Sequence, residues 1–390
     1  MARTFAQYGF LFFLLLQQSL VDAQTRQSEL PDRLRSAPTR GGVDLIDDVI
    51  PGSREHLKFG VSTNFVSDSS RVVGLYVPTI GEQTPRQITN AANSFLALLD
   101  ENQQKKIKHE LTSAERSKWT NLPAPPDAGG LRMADMNQVQ LKNFLELLAH
   151  VLSPTGYEKM RMIMLADDQL LRNGRPRPGF GIENFSVVVF GEPSEQELWA
   201  LQLDGHHLGL NVAIAGDNIT IAPSFIGTQP SKFKLGEHEI RPMQTEVEAA
   251  FALANALTEE QFKTALIRPR RGRIQTGPGK DGKTLKPQGI SVESFNDEQK
   301  KKLLTLISAW VGNLPKDHAR KRMREIVAEL DQMYFSWNGP RNENGDASYT
   351  VQGPSLIIEF AYQDLGGNPL DHIHSQYRNP KNDYGSSLTK

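Results

Sequence analysis

The spacing of apolar residues changes period along this chain, and that change limits its possible folds more than any other feature. Leu141, Phe144, Leu145, Leu148, Val151 and Leu152 recur at helical intervals until Ser153-Pro154 stops them. Similar spacing predicts helices from Tyr157 to Leu171, Thr245 to Ala256, Glu259 to Ile267, Asp297 to Val311 and Asp317 to Met333. Between these the texture is different. Phe185 to Phe190 is a β-branched and aromatic run, and Trp199, Leu201 and Leu203 alternate with polar neighbours. Leu208, Leu210, Val212 and Ile214 continue the alternation, and Ala215 to Asn218 is turn chemistry before Ile219 to Ala222. A second strand region follows Trp337, over Ser348 to Val351 and Leu356 to Tyr362. Two periods in separate blocks predict an α+β fold, with antiparallel sheets and segregated helices.

Helix starts carry their own signature. A capping residue followed by Gln three positions later occurs at Thr84/Gln87, Asp100/Gln103, Asp135/Gln138, Thr258/Gln261 and Asn296/Gln299. The five are irregularly spaced, which argues against a solenoid, and they are read as ordinary helix beginnings. Pro85, directly after Thr84, marks the expected start of the helical body.

The N-terminus has a different purpose. Arg3 precedes the apolar run Phe10 to Leu16, and Val21-Asp22-Ala23 offers a cleavage site. This apolar run is too short to span a hydrocarbon core of about 30 Å, so residues 1–23 are expected to be a signal peptide. A flexible, Pro- and Gly-punctuated lead-in would then occupy 24–84 and a single domain 85–390. The expected location is secreted or periplasmic, with no membrane contact after cleavage. A formal net charge of −1 gives no overall field for nucleic acid.

Cysteine is absent, which excludes thiolate nucleophiles, iron–sulfur clusters and Cys-type zinc sites. Any metal must be held by His, Asp, Glu, carbonyls or water. Of the nine histidines, four fall in two tight groups, His206-His207 and His372-Ile373-His374. His56, His109, His238 and His318 stand in polar surroundings that suit the surface. On an extended strand His372 and His374 leave the same face, so both rings can reach one cation at about 2.0–2.1 Å. Around His206 and His207 the apolar phase slips from odd to even positions, as an irregularity such as a β-bulge would produce. A bulge would let either or both histidines join the site.

Glu359 interrupts the apolar run Leu356 to Tyr362. If buried there it needs a cation, an arginine or hydrogen-bond donors, whereas on a wet face it needs none. A turn at Gly366 to Pro369 can fold its strand against the His372 segment. Arg378 is a candidate for holding an anionic substrate group, or for neutralising Glu359. Asp383-Tyr384-Gly385 reads as a turn. The stretch Arg268 to Lys286 holds four arginines and three lysines against the single acid Asp281. It is either an anion-binding loop or a solvated connection, and its Gly277-Pro278-Gly279-Lys280 lacks the spacing of a P-loop.

These segments together resemble a large uncharacterised family, the domain of unknown function numbered three thousand five hundred. The resemblance rests on Trp119 to Pro123, Leu152 to Tyr157, Phe190 to Pro193, Gly205 to Leu208, Trp337 to Gly339, Gly353-Pro354, Ile358 to Phe360, His372 to His374, Arg378 to Pro380 and Asp383 to Gly385. It implies that the Gly205–Leu208 and His372–His374 elements belong together, and it brings no mechanism. The sequence therefore points to an exported enzyme that uses a divalent zinc, copper or iron ion held by His206, His207, His372 and His374. Glu359 and Arg378 would be the catalytic side chains, and the reaction a hydrolysis by metal-activated water of a small-molecule or polymeric extracellular substrate. The alternatives are a metal- or ligand-binding protein without turnover, a copper or iron oxidoreductase, and a metal-free acid–base enzyme. No Gly-x-Ser-x-Gly element and no dinucleotide fingerprint is present.

Overall fold

The computed structural model describes residues 65–78, 83–123, 129–173, 178–342, 345–365 and 367–388. The expected signal peptide lies outside them, as does most of the lead-in. Ser67 caps a first helix, α1 (Asp68–Leu75), which buries Ser70, Val72, Val73 and Gly74, so the packed chain begins earlier than the expected start at Thr84. Then follow α2 (Pro85–Ala97), α3 (Glu101–Ile107), α4 (Gln138–Val151) and α5 (Pro154–Arg172). Further on lie α6 (Gln244–Ala256), α7 (Glu259–Ala265), α8 (Asp297–Val311) and α9 (Lys316–Ala328). Four of the five expected capping boxes form. The fifth is displaced: Asp135 ends a 3-10 turn, and Asn137 with Gln140 makes the box instead.

The strands are β1 (Lys108–His109), β2 (Leu131–Arg132), β3 (Ser186–Phe190), β4 (Trp199–Gly205), β5 (Leu208–Ala215), β6 (Asn218–Thr220) and β7 (Ser224–Thr228). After them come β8 (Phe233–Leu235), β9 (His238–Ile240), β10 (Leu266–Arg268), β11 (Ile290–Ser291), β12 (Tyr334–Asn338), β13 (Ser348–Gly353), β14 (Leu356–Tyr362) and β15 (Ile373–Arg378). Strand β12 lies between the helix expected to end at Met333 and the strand region expected after Trp337, so neither expectation covers it. Thirteen strands join one sheet whose main path is β1-β3-β4-β5-β7-β15-β14-β13-β12-β10, while β8 and β9 form a separate hairpin. The sheet is mostly antiparallel but mixed, since β1 runs parallel to β3 and β10 parallel to β12. The fold is therefore α+β, as the change of period requires.

The two faces of the sheet differ. Leu201, Leu203, Leu210, Val212, Ile226, Ile358, Phe360 and Tyr377 share one hydrophobic core with residues of the helices. The opposite face carries Gln202, Asp204, Asn211, His374, Gln376, Arg378, Glu359, Thr350, Ser348 and Asn338, which pairing register and side-chain alternation place together. The long segments after β1 and β10 lie against this polar face: Gln202 donates to the Arg116 carbonyl, and Glu359 accepts from Gln275 and Thr276.

The repetition of capping boxes has a cause that their irregular spacing conceals. The order helix, helix, edge strand, short strand, two helices, then four strands of the main sheet path occurs twice, first from α2 to β7, where the short β6 is an addition, and again from α6 to β15. In each copy the edge strand pairs parallel and the others antiparallel, and β7 meets β15 antiparallel where the copies join. A matching clasp holds each copy. Gln103 and Gln140 exchange side-chain hydrogen bonds and reach the Asp135 and Leu98 carbonyls; Gln261 and Gln299 do the same with the Ser294 and Ala256 carbonyls. The caps are helix beginnings, as expected, and the topology adds that they recur in a repeated structural unit, where the Gln residues cap a helix and join two helices at once.

Candidate metal centre

The phase slip near Gly205 is a turn and not a bulge. Strands β4 and β5 pair Leu203 with Leu210 and Gly205 with Leu208, leaving His206 and His207 as a two-residue connection. Across such a turn facing residues have opposite parity, so the buried positions change from odd to even. His207 takes a left-handed backbone (φ 67). Its N–H donates to the Asn121 carbonyl at 3.0 Å, and its carbonyl accepts from the Gly227 N–H at 2.7 Å. The two imidazole centroids lie 3.7 Å apart with the rings tilted by 30°. His206 Nδ1 lies 2.5 Å from Asp167 Oδ1 on α5, while the other oxygen of Asp167 accepts from the Gly181 N–H. The edge of Phe180 closes the far side of His206.

The second pair enters from β15. His374 stands between Gly227 on β7 and Ala361 on β14, and His372 directly precedes the strand after a 3-10 turn at Pro369–Asp371. Strands β14 and β15 are antiparallel neighbours, while Gly366 of the expected turn lies outside the described residues. His207 Nε2 is 2.8 Å from His372 Nε2, which is 3.0 Å from His374 Nε2. His372 Nδ1 is 2.7 Å from the Leu365 carbonyl, which only an Nδ1–H can satisfy. The Nε2 of His372 is then a lone pair aimed at the other two rings.

This arrangement fits a bound cation. One ring nitrogen has a single in-plane lone pair and cannot serve two close donors well. Three nitrogens around one ion resolve the conflict, and in a tetrahedral centre with bonds of about 2.0–2.1 Å they would stand roughly 3.3 Å apart, a small opening from the distances here. His207, His372 and His374 present ligand atoms within 4.8 Å of one another. Burial, together with the charge of neighbouring imidazoles, holds His207 and His374 well below the usual histidine range. Burial also lowers His372, against the opposing bond to Leu365. Neutral imidazole is the form that binds metal. Asp167, His206 and His207 make a second close group, but both oxygens of Asp167 are already engaged. That carboxylate suits the role of fixing the His206 tautomer, a common arrangement behind a metal ligand.

Gly227 is part of this geometry. A Cβ there would lie 2.7 Å from the Ile373 carbonyl and 3.0 Å from ring carbons of both His207 and His374. Gly227→Ala is expected to weaken metal affinity by about 10–100-fold, because the added methyl forces the two rings apart. Titration with a competing chelator measures this, and unchanged affinity would remove Gly227 from the centre.

Glu359 and Arg378 stand elsewhere. Glu359 is buried on the face of His374, but its oxygens accept from the N–H of Gln275 (2.9 Å), the N–H of Thr276 (2.8 Å) and the Thr276 hydroxyl (2.5 Å). Arg378 binds Asp383, Asp281 and the carbonyls of Thr276 and Lys280. The expectation that Arg378 neutralises Glu359 is not met: each grips the basic segment separately. Asp383-Tyr384-Gly385 forms the expected turn, with Tyr384 left-handed at φ 57 and its hydroxyl between Trp119 and Asp281. Sequence reasoning missed Asp167, Gly227 and the Leu365 carbonyl. Only Asp167 offered a signal, as one of two adjacent acids inside an otherwise apolar helical stretch.

No helix among the described residues is long and apolar enough to cross a membrane. Comparison with curated proteins finds no match, and comparison with solved structures finds none. The family described as Protein of unknown function (DUF3500) matches residues 81–386, which include both histidine pairs. The chain belongs to that family, whose shared region spans the whole duplicated sheet and the histidine cluster at its centre.

Proposed function

We propose that this chain is an exported metal-dependent hydrolase whose ion is held by His207, His372 and His374, with His206, oriented by Asp167, packed against His207 beside them. The observation that carries the reading is the convergence of three neutral Nε2 atoms, one fixed as a lone pair by the Leu365 carbonyl. Zinc suits this donor set best, since three imidazoles leave one position open and no carboxylate joins the three nitrogens. When bound, such an ion lowers the pKa of a coordinated water toward neutrality. His374, the partly exposed member of the three, marks the approach for substrate. Phe180 and Phe225 wall the centre and exclude bulk water around the rings. Export is supported by the leader-like segment at residues 1–23.

The test is elemental analysis of protein purified without chelators or a histidine tag. About one equivalent of zinc per chain is expected, as for a single centre of three imidazole ligands. Protein that holds no zinc, copper or iron after incubation with each ion would overturn the reading.

A further inference from the structure

The proposed hydrolase reading leaves the substrate open, and the basic segment after β10 addresses it. Pairing register forms one row across the sheet from the metal centre to that segment: His374, Ala361, Ser348, Asn338 and Arg268. Ser348 and Asn338 stand two and three strands from His374, roughly 10 and 14 Å at ordinary strand spacing. Over them lies a cleft of about 460 Å³ whose lining includes Arg268, Arg271, Arg273, Asn338, Ser348 and Gln288. The three arginines do different things. Arg271 is spent on structure, since Asp346 and Asp364 both pair with it, and the Gly272 N–H donates to Ser348 Oγ at 2.7 Å. Arg268 and Arg273 are exposed and, among the described residues, have no carboxylate partner. The acid in the lining, Glu359, is occupied by the Gln275 and Thr276 donors.

We propose that this cleft is a subsite for an anionic group of an acidic oligosaccharide, whose neighbouring sugar units extend along the row toward the metal centre. The inference deepens the hydrolase reading and rests on it for the purpose of the site, though not for binding itself. Two guanidiniums without counter-charge supply the attraction for carboxylate or sulfate, and their fork geometry suits either oxyanion. Hydroxyl and amide groups on the floor match sugar hydroxyls. Such a floor offers little of the apolar surface that would anchor a peptide side chain. The separation from His374 calls for an extended ligand that bridges subsite and metal.

Calorimetric titration of the whole chain with tetragalacturonate tests this, alongside tetraglutamate at the same charge and ionic strength. Tetragalacturonate should bind, and Arg268→Ala with Arg273→Ala should weaken it by about tenfold or more, the loss expected for two charge-assisted contacts. Lys280→Ala with Lys286→Ala removes the same charge from the same segment outside the cleft and should change affinity less than about twofold. His372→Ala with His374→Ala should also retain binding, so failure of the metal reading and failure of the subsite are separately visible. No binding of tetragalacturonate, equal losses in the arginine and lysine pairs, or equal affinity for tetraglutamate would each overturn the proposal.

Discussion

Protein carrying both His372→Ala and His374→Ala is expected to hold less than about a tenth of an equivalent of metal, against about one in the unaltered chain. The size of the effect follows from how the three nitrogens are supplied. His207 alone remains of the convergent set, and its Nε2 loses the His372 nitrogen 2.8 Å away together with the His374 nitrogen of the same cluster. The fold should persist, because β15 is held by antiparallel pairing with β7 and β14 through backbone groups that alanine retains. Thermal unfolding separates the two properties. Zinc at about one hundred times its dissociation constant should stabilise the unaltered chain by roughly 2.7 kcal/mol and leave the double variant unmoved. A double variant that still gains stability from zinc, or still carries an equivalent of it, would place the ion elsewhere.

How much of this was legible in the sequence depended on whether the interaction was local. His372 and His374 share a face because a strand alternates, and the structure places both rings in the same cluster. The capping boxes were equally local, and four of five formed where the residues stood. Misreadings arose where one local pattern has two physical causes. A parity slip at Gly205 to His207 fits a bulge or a two-residue turn, and only the pairing of Gly205 with Leu208 decides. The Gln residues do cap helices, as read; what the sequence hides is that the clasps of Gln103 with Gln140 and Gln261 with Gln299 recur in a repeated unit. Glu359 was understood as a residue that needs a partner if buried, which is a statement about solvation. That its partners are the amides of Gln275 and Thr276 could not be derived, since loop closure over such a distance leaves no periodic trace. Asp167 showed only as one of two adjacent acids after an apolar run; its role comes from His206, on another element.

The placement of Arg378 leads to the other large effect. Its side chain is 3% exposed and spans Asp383, Asp281 and two carbonyls of the basic segment. Arg378→Ala strands Asp383, whose carboxyl burial already pushes above the ordinary range even with the guanidinium beside it. Breaking a buried pair of this kind costs about 3–5 kcal/mol, so a loss of that order in unfolding free energy is expected in denaturant titration. Glu359→Ala should cost less, about 1–3 kcal/mol, because it leaves the Gln275 and Thr276 donors unpaired without exposing a buried charge. The double variant should lose less than the two singles together, since both side chains hold the segment at Thr276. Glu359 also sets a pH dependence. Burial raises its carboxyl above the ordinary 4.5, outweighing the bonds from Thr276 and Gln275 that lower it. A carboxyl with a raised folded-state pKa contributes fully below its unfolded value and loses that contribution as pH rises through the folded one. The neutral Glu359→Gln should therefore flatten the decline in stability above pH 4.5. Metal content is the decisive companion measurement. If Arg378 and Glu359 act only by fastening this segment, all four variants keep their equivalent of metal while folded. Loss of metal from folded Arg378→Ala or Glu359→Gln would instead bring these residues into the centre itself.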